Sequence, residues 1–292
     1  MAQLKTPVVV GLSGGLGNQM FQYAAGRSLA LKLNVPLELD ISWFKGCLDR
    51  NYALDMFNVS ATLREHKSSL PDFLQNFETR MSRRYARRRM GVPIYREPHF
   101  HFDPNFETIE NPVFLEGYWQ SERYFRKYAE TIHADLRLRK PIPEACQNVM
   151  NDVRSSNAIC VHVRRGDYVN NPEAARTHGV CSLDYYRRAV STLCYGLENP
   201  QCFVFSDDPK WVHENIVLPC CTTVVDFNDS NNVHWDLALM AACKHFVIAN
   251  SSLSWWGAWL GNARDKRVIA PMIWFKDDKD TKDLIPATWE RL

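Results

Sequence analysis

The sequence predicts an α/β protein of two domains, each built on a parallel sheet, and three observations carry that prediction. Its 292 residues suit two domains of about 140 residues better than one very large one. Short apolar runs alternate with stretches of helical periodicity, the pattern of parallel strands covered by helices. A break at Pro141 and Pro143, after the charged segment Arg137 to Lys140, divides the chain into 1–140 and 141–292.

The first domain opens with the apolar run Pro7 to Leu12, a glycine-rich turn, and Gln19 to Leu33, where Phe21, Ala24, Ala25, Leu29 and Leu33 recur at helical spacing. A second apolar run, Val35 to Leu39, ends at Asp40 and completes a β-α-β unit. The next hundred residues are irregular, broken by Pro93, Pro98, Pro104 and Pro112, with one further strand expected over Phe114 to Tyr118. Beyond the boundary the alternation is clearer. Strands are expected at Ala158–Val163, Cys202–Phe205, Thr222–Val225, His245–Ala249 and Arg267–Ala270. Helices fall between them, at Leu183–Leu197, Pro209–Asn215, Trp235–Lys244 and Ser251–Leu260.

Composition excludes several classes of function. Hydrophobic residues are 46% and charged residues 23%, an ordinary globular balance. A formal net charge of +2 is too small for a nucleic-acid partner, which needs a concentrated basic footprint. The local exception is Arg83 to Arg89, which reads as a solvated helical face or as a contact with an anionic membrane surface or an acidic acceptor. Nine cysteines without a Cys-x-x-Cys pair read as reduced, mostly buried small hydrophobes rather than a zinc site. No apolar run approaches the roughly 18 residues of a membrane span, and no signal peptide is evident. A cytoplasmic enzyme, in place at the inner face of the membrane if the basic segment binds there, is the expectation.

Chemistry is expected where strands end. The loop Gly11 to Gln19 sits between strand and helix, as in a dinucleotide site, and Asp40 falls where an acid would hold a ribose. The third glycine of that fingerprint is absent, since its position is Met20, and a tight turn accounts for Gly14, Gly15 and Gly17 equally well. A sharper signal is His162-Val-Arg164-Arg165-Gly-Asp167 after the strand. Two guanidinium groups there could grip a diphosphate through paired charge-assisted hydrogen bonds, with Asp167 orienting one of them. An ion-pair network of purely structural purpose is the alternative. Ser206, Asp207 and Asp208 end the next strand, as a helix cap or a polar rim to a nucleotide pocket. Asn250, Ser251, Ser252 and Ser254 open a helix whose amides and hydroxyls suit a phosphate. Trp255, Trp256 and Trp259 read as core rather than as a stacking surface.

These motifs resemble those of the bacterial alpha-1,2-fucosyltransferases, glycosyltransferase family eleven. The resemblance rests on Gly14-Gly-Leu-Gly-Asn-Gln-Met-Phe-Gln-Tyr-Ala25, Gly117-Tyr-Trp-Gln-Ser121, Val161-His-Val-Arg-Arg-Gly-Asp-Tyr168, Phe205-Ser-Asp-Asp208 and Asn250-Ser-Ser-Leu-Ser-Trp-Trp-Gly-Ala-Trp-Leu260. It implies a GT-B fold, two facing Rossmann-like domains, the C-terminal one holding the donor GDP-beta-L-fucose. It also implies transfer with inversion, no cofactor and no required metal. The acceptor would be a hydroxyl of a surface-polysaccharide glycan, free or lipid-linked, the 2-hydroxyl of a galactose first, with N-acetylglucosamine or another residue, and another linkage, as alternatives. Carried onto this chain, Arg165 and Asp167 are the catalytic candidates, Arg165 on the diphosphate. Donor binding falls to His162, Arg164, Arg165, Ser206, Asp207, Asp208, Asn250, Ser251, Ser252 and Ser254. The fucose and acceptor side falls to Gly15, Gly17, Asn18, Gln19, Tyr118, Trp119 and Gln120. Family members often carry threonine and phenylalanine where this chain has Ser252 and Leu253.

The base that removes the acceptor proton, a carboxylate or a histidine, is not fixed by the sequence; Asp167, unless it only orients an arginine, and Glu116, beside Tyr118 and Trp119, are candidates. Asp278-Lys-Asp280 has the form of a manganese-binding pair, but its charge-alternating setting reads as a solvated loop. Two rivals stand beside the transferase: a nucleotide-dependent oxidoreductase using the glycine loop and Asp40, and a non-catalytic module stacking a sugar on Tyr118 and Trp119.

Overall fold

The computed structural model describes residues 5–47, 50–64, 92–229 and 232–292. The basic stretch Arg83 to Arg89, with its expected membrane contact, lies outside them. The chain divides into two units, Met1–Arg139 with Lys282–Leu284, and Lys140–Thr281 with Ile285–Leu292.

In the first unit the elements are β1 (Val8–Gly11), α1 (Leu16–Leu33), β2 (Leu37–Asp40), β3 (Thr62–Arg64), β4 (Ile94–Arg96), β5 (Phe114–Glu116) and α2 (Ala129–Asp135). The strands lie in the order β3-β2-β1-β5-β4 and pair in parallel. β1 is three valines buried on both faces, as a central parallel strand requires. Helix α1 begins at Leu16, three residues ahead of the expected start, because Gly15 takes the N-cap position without a side-chain cap. It ends where Asn34 turns into the left-handed region (φ +52°) and returns its N–H to the last turn, a common helix stop. Asp135 of α2 accepts from Tyr23 Oη at 2.7 Å and Arg27 Nε at 2.8 Å, fastening the two helices together.

In the second unit follow α3 (Glu144–Ser155), β6 (Asn157–Val163), α4 (Gly166–Asn170), α5 (Pro172–Thr177), α6 (Leu183–Cys194), β7 (Pro200–Ser206), α7 (Pro209–Asn215), β8 (Cys221–Val225), α8 (Val233–Ala242), β9 (His245–Val247), α9 (Ser252–Leu260), β10 (Val268–Ala270) and β11 (Glu290–Arg291). The strands run β11-β10-β9-β6-β7-β8, again paired in parallel. Counted from β6, this is the 3-2-1-4-5-6 order of the dinucleotide-binding α/β fold. One face of β6 packs Ile159, Val161 and Val163 against Tyr186, Ala189, Val190 and Leu193 of α6. Ser182 caps α6 through Tyr185 N, and Asp208 caps α7 through Trp211 N ahead of Pro209. Trp255, Trp256 and Trp259 are buried with stacked or edge-on rings, confirming them as core.

Both sheets reverse strand order at one point, between β1 and β5 and between β6 and β9. Ligands of open parallel sheets collect outside the carboxyl ends of the strands at such reversals. The glycine loop and the Gly117–Ser121 segment follow the first pair; the arginine motif and Asn250–Ser252 follow the second.

Several elements were not expected. β3, β4 and β11 span two or three residues, too short to show a period, and β4 lies between Pro93 and Pro98. The nine cysteines are free, but four are buried, four partly so and Cys221 exposed, so they are less uniformly interior than expected. Among the described residues no helix is long and apolar enough to cross a membrane.

Candidate functional site

At the carboxyl end of β6 the two arginines take different tasks. Arg164 donates to Asp167 at 2.7 Å and pairs with Asp207 at 2.9 Å, its guanidinium also lying 5.3 Å from the Tyr168 ring centroid. These carboxylates hold its pKa above the ordinary arginine value despite burial. Arg165 Cζ lies over the Trp211 ring, 3.7 Å from its centroid, with Nε bonded to Asp208 at 3.3 Å. Its terminal nitrogens make no hydrogen bond to a described residue. A guanidinium fixed on one edge by a carboxylate and on one face by an indole presents a rigid fork of donors, the geometry that matches a phosphate oxyanion.

The neighbouring strand end supports this placement. Asp207 accepts from Arg165 N at 2.9 Å while binding Arg164, and Asp208 N donates to Ser206 Oγ at 3.0 Å. Asp208 therefore does two things, capping α7 and holding Arg165, so the cap and pocket-rim expectations coexist in one side chain. Gly166 is required by the crowding here, since a β-carbon at that position would lie 2.4 Å from Asp207 Oδ2. Gly166→Ala is expected to push Asp207 off Arg164 and Arg165 N, weakening nucleotide binding at least tenfold by calorimetry; unchanged affinity would show that Asp207 is not needed in place.

Other residues expected at the donor are placed differently. Asn250 is 2% exposed, and its Nδ2 donates toward His178 O, Gly179 O and Trp274 O, so its amide clamps loops together. Ser254 is fully buried, its hydroxyl bonding back to Ala249 O and Ser251 O. Neither side chain is free to meet a phosphate. Ser251 stands at the N-cap of α9 but makes no side-chain cap bond, and Ser252 begins the helix half-buried. His162 is 3% exposed, burial lowers its pKa and so favours the neutral imidazole, and its buried Nδ1 meets no hydrogen-bond partner among the described residues. Asp167, expected to be catalytic, is engaged with Arg164.

The reversal point of the first unit forms a second polar cluster. Asn18 Oδ1 accepts from Gln120 Nε2 at 2.8 Å, tying the glycine loop to the segment after β5. Gly15 has open space where a side chain would stand, whereas Gly17 is buried. Gln19 does not face the crevice as expected. It is fully buried, donating to Gly14 O and Asn51 O and accepting from Ala53 N. Gln19→Ala is expected to lower stability by about 1–3 kcal/mol in chemical denaturation, because Ala53 N and two carbonyls lose their partner; a drop in turnover with stability intact would contradict that role. Trp119 is likewise buried, among Tyr95, Phe106 and Tyr124, and cannot stack on a sugar. Tyr118 is 44% exposed and remains available. Glu116 pairs with Arg96 at 2.8 Å. Asp40 is buried, accepting from Ser42 N at 2.9 Å, and so cannot serve a ribose as the oxidoreductase reading requires.

Sequence reasoning overlooked Gln22, Trp211 and Gly166. Gln22 bonds both Ser13 and Gly117 O, linking the two loops; its spacing one turn from Gln19 was the available signal. Asp278 and Asp280 lie in an exposed loop, and no three His, Cys, Asp or Glu side chains gather in metal-binding fashion among the described residues.

Two α/β units on parallel sheets, the second with an arginine fork at its reversal point, give the chain the GT-B fold. The chain belongs to glycosyl transferase family 11, whose model matches residues 1–290. It is 34% identical over 289 residues to an alpha-1,2-colitosyltransferase of Escherichia coli, covering 98% of each chain. It is 32% identical to the O-antigen biosynthesis glycosyltransferase WbnK of Escherichia coli, covering 96% of this chain and 99% of that one. In fold it is similar to the POFUT1 structure in complex with GDP, at TM-score 0.52 and 13% identity, covering 91% and 99% of the two chains. A similar likeness holds to a FUT1 mutant of Arabidopsis thaliana in complex with GDP, at TM-score 0.51 and 12% identity, covering 97% and 75%.

Proposed function

We propose that this glycosyltransferase moves L-fucose from GDP-beta-L-fucose to the 2-hydroxyl of a galactose in a glycan, with inversion and without a required metal. The observation that carries the reading is Arg165, held by Asp208 and Trp211 with its terminal nitrogens uncommitted. Breaking the sugar–diphosphate bond gathers negative charge on the leaving group, and a preorganised donor there acts most strongly in the transition state. The amides opening α9, beside Ser251 and Ser252, supply a second positive end for the same group. A glycan acceptor of surface polysaccharide, free or lipid-linked, agrees with the O-antigen relative.

A second donor has its own support. The relative covering 98% of each chain is a colitosyltransferase, so the GDP ester of colitose, a fucose analogue, is the alternative sugar. The two are separated by offering GDP-fucose and GDP-colitose to the protein with the same galactoside in chelator. Transfer of fucose at the higher kcat/KM, with a 1,2 linkage in the product's NMR spectrum, is the expected result. Preference for colitose, or another linkage, would displace the proposal within the family.

A further inference from the structure

Three of the cysteines meet on one face of the second sheet. Cys202 of β7 lies level with Thr222 of β8, and the two-residue period of a strand puts Cys220, just ahead of β8, on the same face one step back. That face is the core covered by α6, and Cys194, the last residue of α6, packs there and hydrogen-bonds Cys220. The Cys202 and Cys220 sulfurs stand 3.1 Å apart in hydrogen-bond contact. The chain between them leaves the sheet after Ser206, forms α7 and returns at β8, so the fold and not the local sequence makes this contact.

The two thiols differ in what a small oxidant can reach. Cys202 is fully buried, whereas Cys220 is half-buried. Their electrostatics differ in the same sense. Cys220 is held below the ordinary thiol range, chiefly by the hydrogen bond from Cys202, with burial opposing and the Cys194 thiol and Cys202 N–H adding to the effect. Cys202 is raised by that same hydrogen bond and by burial, and Cys194 is raised chiefly by burial. A hydrogen bond to the charged form favours it, so the thiolate collects on the sulfur that solvent reaches. Oxidation follows thiolate character and exposure, and a redox-responsive cysteine commonly stands beside a resolving one. A second thiol contact, Cys160 with Cys243, lacks this asymmetry, both residues being sealed in the core.

We propose that Cys220 is a peroxide-reactive oxidation site whose sulfenic acid is resolved by Cys202 into a reversible disulfide. The Cys220 thiolate attacks one peroxide oxygen, the O–O bond breaks, and the departing hydroxide takes up the proton that Cys220 had released, as water. Cys202 Sγ then attacks Cys220 Sγ, the S–O bond breaks, and that hydroxide leaves as water with the Cys202 proton. Two thiols lose two electrons and the peroxide gains them. The new bond closes a ring over residues 202–220, which contains Asp207, Asp208 and Trp211, the groups that hold the two arginines. Oxidation therefore ties the strand end that positions Arg164 and Arg165 to the start of β8, whichever sugar the enzyme transfers.

The test treats the full chain with hydrogen peroxide, alkylates and digests it, and maps disulfides by mass spectrometry before and after dithiothreitol. Expected are a loss of two hydrogens from the intact mass, a Cys202–Cys220 cross-linked peptide, and its reversal by dithiothreitol, with Cys160 and Cys243 still reduced. The midpoint of thermal denaturation is expected to rise by about 5 °C on oxidation, because the ring constrains the unfolded chain, and to return on reduction. C194S is expected to form the same cross-link. C194S/C202S leaves Cys220 without a resolving thiol, and dimedone is expected to capture its sulfenic acid. Cys202 and Cys220 both still reduced at a peroxide concentration that oxidises methionine would overturn the proposal, and this result needs no variant that folds. Oxidation of exposed Cys221 or of the Cys160–Cys243 pair ahead of Cys220, a Cys194–Cys220 bond in place of the expected one, or a fall in the midpoint on oxidation would each overturn it as well.

Discussion

Arg165→Ala is expected to lower turnover by roughly 10²–10³, the usual loss when one preorganised donor to a developing anion is removed. Arg165 has little structural work that other groups do not share. Asp208 keeps its capping bond to Trp211 N, Trp211 keeps its place on α7, and Asp207 holds the backbone N–H of residue 165 whatever its side chain. The fall should therefore appear in kcat, with a change in midpoint of denaturation small beside it. Arg165→Lys is expected to recover only part of the loss, because an ammonium offers a point charge where the guanidinium offers a planar fork. Near-normal turnover in Arg165→Ala would remove the diphosphate from this strand end.

Arg164→Ala should act through stability instead. Arg164 sits between Asp167 and Asp207, and deleting it leaves two carboxylates facing each other without a countercharge. Breaking a buried pair by removing one partner costs 3–5 kcal/mol; about 3 kcal/mol is expected here, because a fifth of the Arg164 side chain remains exposed. Urea denaturation measures this directly. A change under about 1 kcal/mol at pH 7 would mean that the pair is dispensable and that Arg164 is retained for the ligand.

That adjacent arginines diverge so far was not legible in the sequence. The strand, the motif and its position at a strand end were, because an apolar run buried on both faces marks β6 without ambiguity and Pro209 marks the helix after β7. What decides between scaffold and ligand group is which carboxylates each guanidinium meets; Asp167 stands three residues from Arg164, but Asp207 and Asp208 come from another strand end, about forty residues away. Gln19, Trp119, Asn250 and Ser254 were misplaced for a related reason. A short polar or aromatic side chain beside a glycine turn looks the same whether it faces a ligand or satisfies a backbone group. The strand β4 was hidden by its setting: three residues between two prolines show no period, so nothing in the order of residues places Glu97 beside Tyr118. The N-terminal glycine loop shows the converse limit. Its glycines suggested a dinucleotide site, yet buried Gln19 and Asp40 make it a structural turn that presents backbone and Asn18.

The central claim is that the donor's diphosphate rests at the carboxyl end of β6, and a crystal structure of the chain with GDP tests it most directly. Diphosphate oxygens within hydrogen-bond distance of the Arg165 terminal nitrogens and of the amides opening α9 are the predicted result. GDP seated instead on the Gly14–Gly17 loop, with Arg165 untouched, would contradict the account.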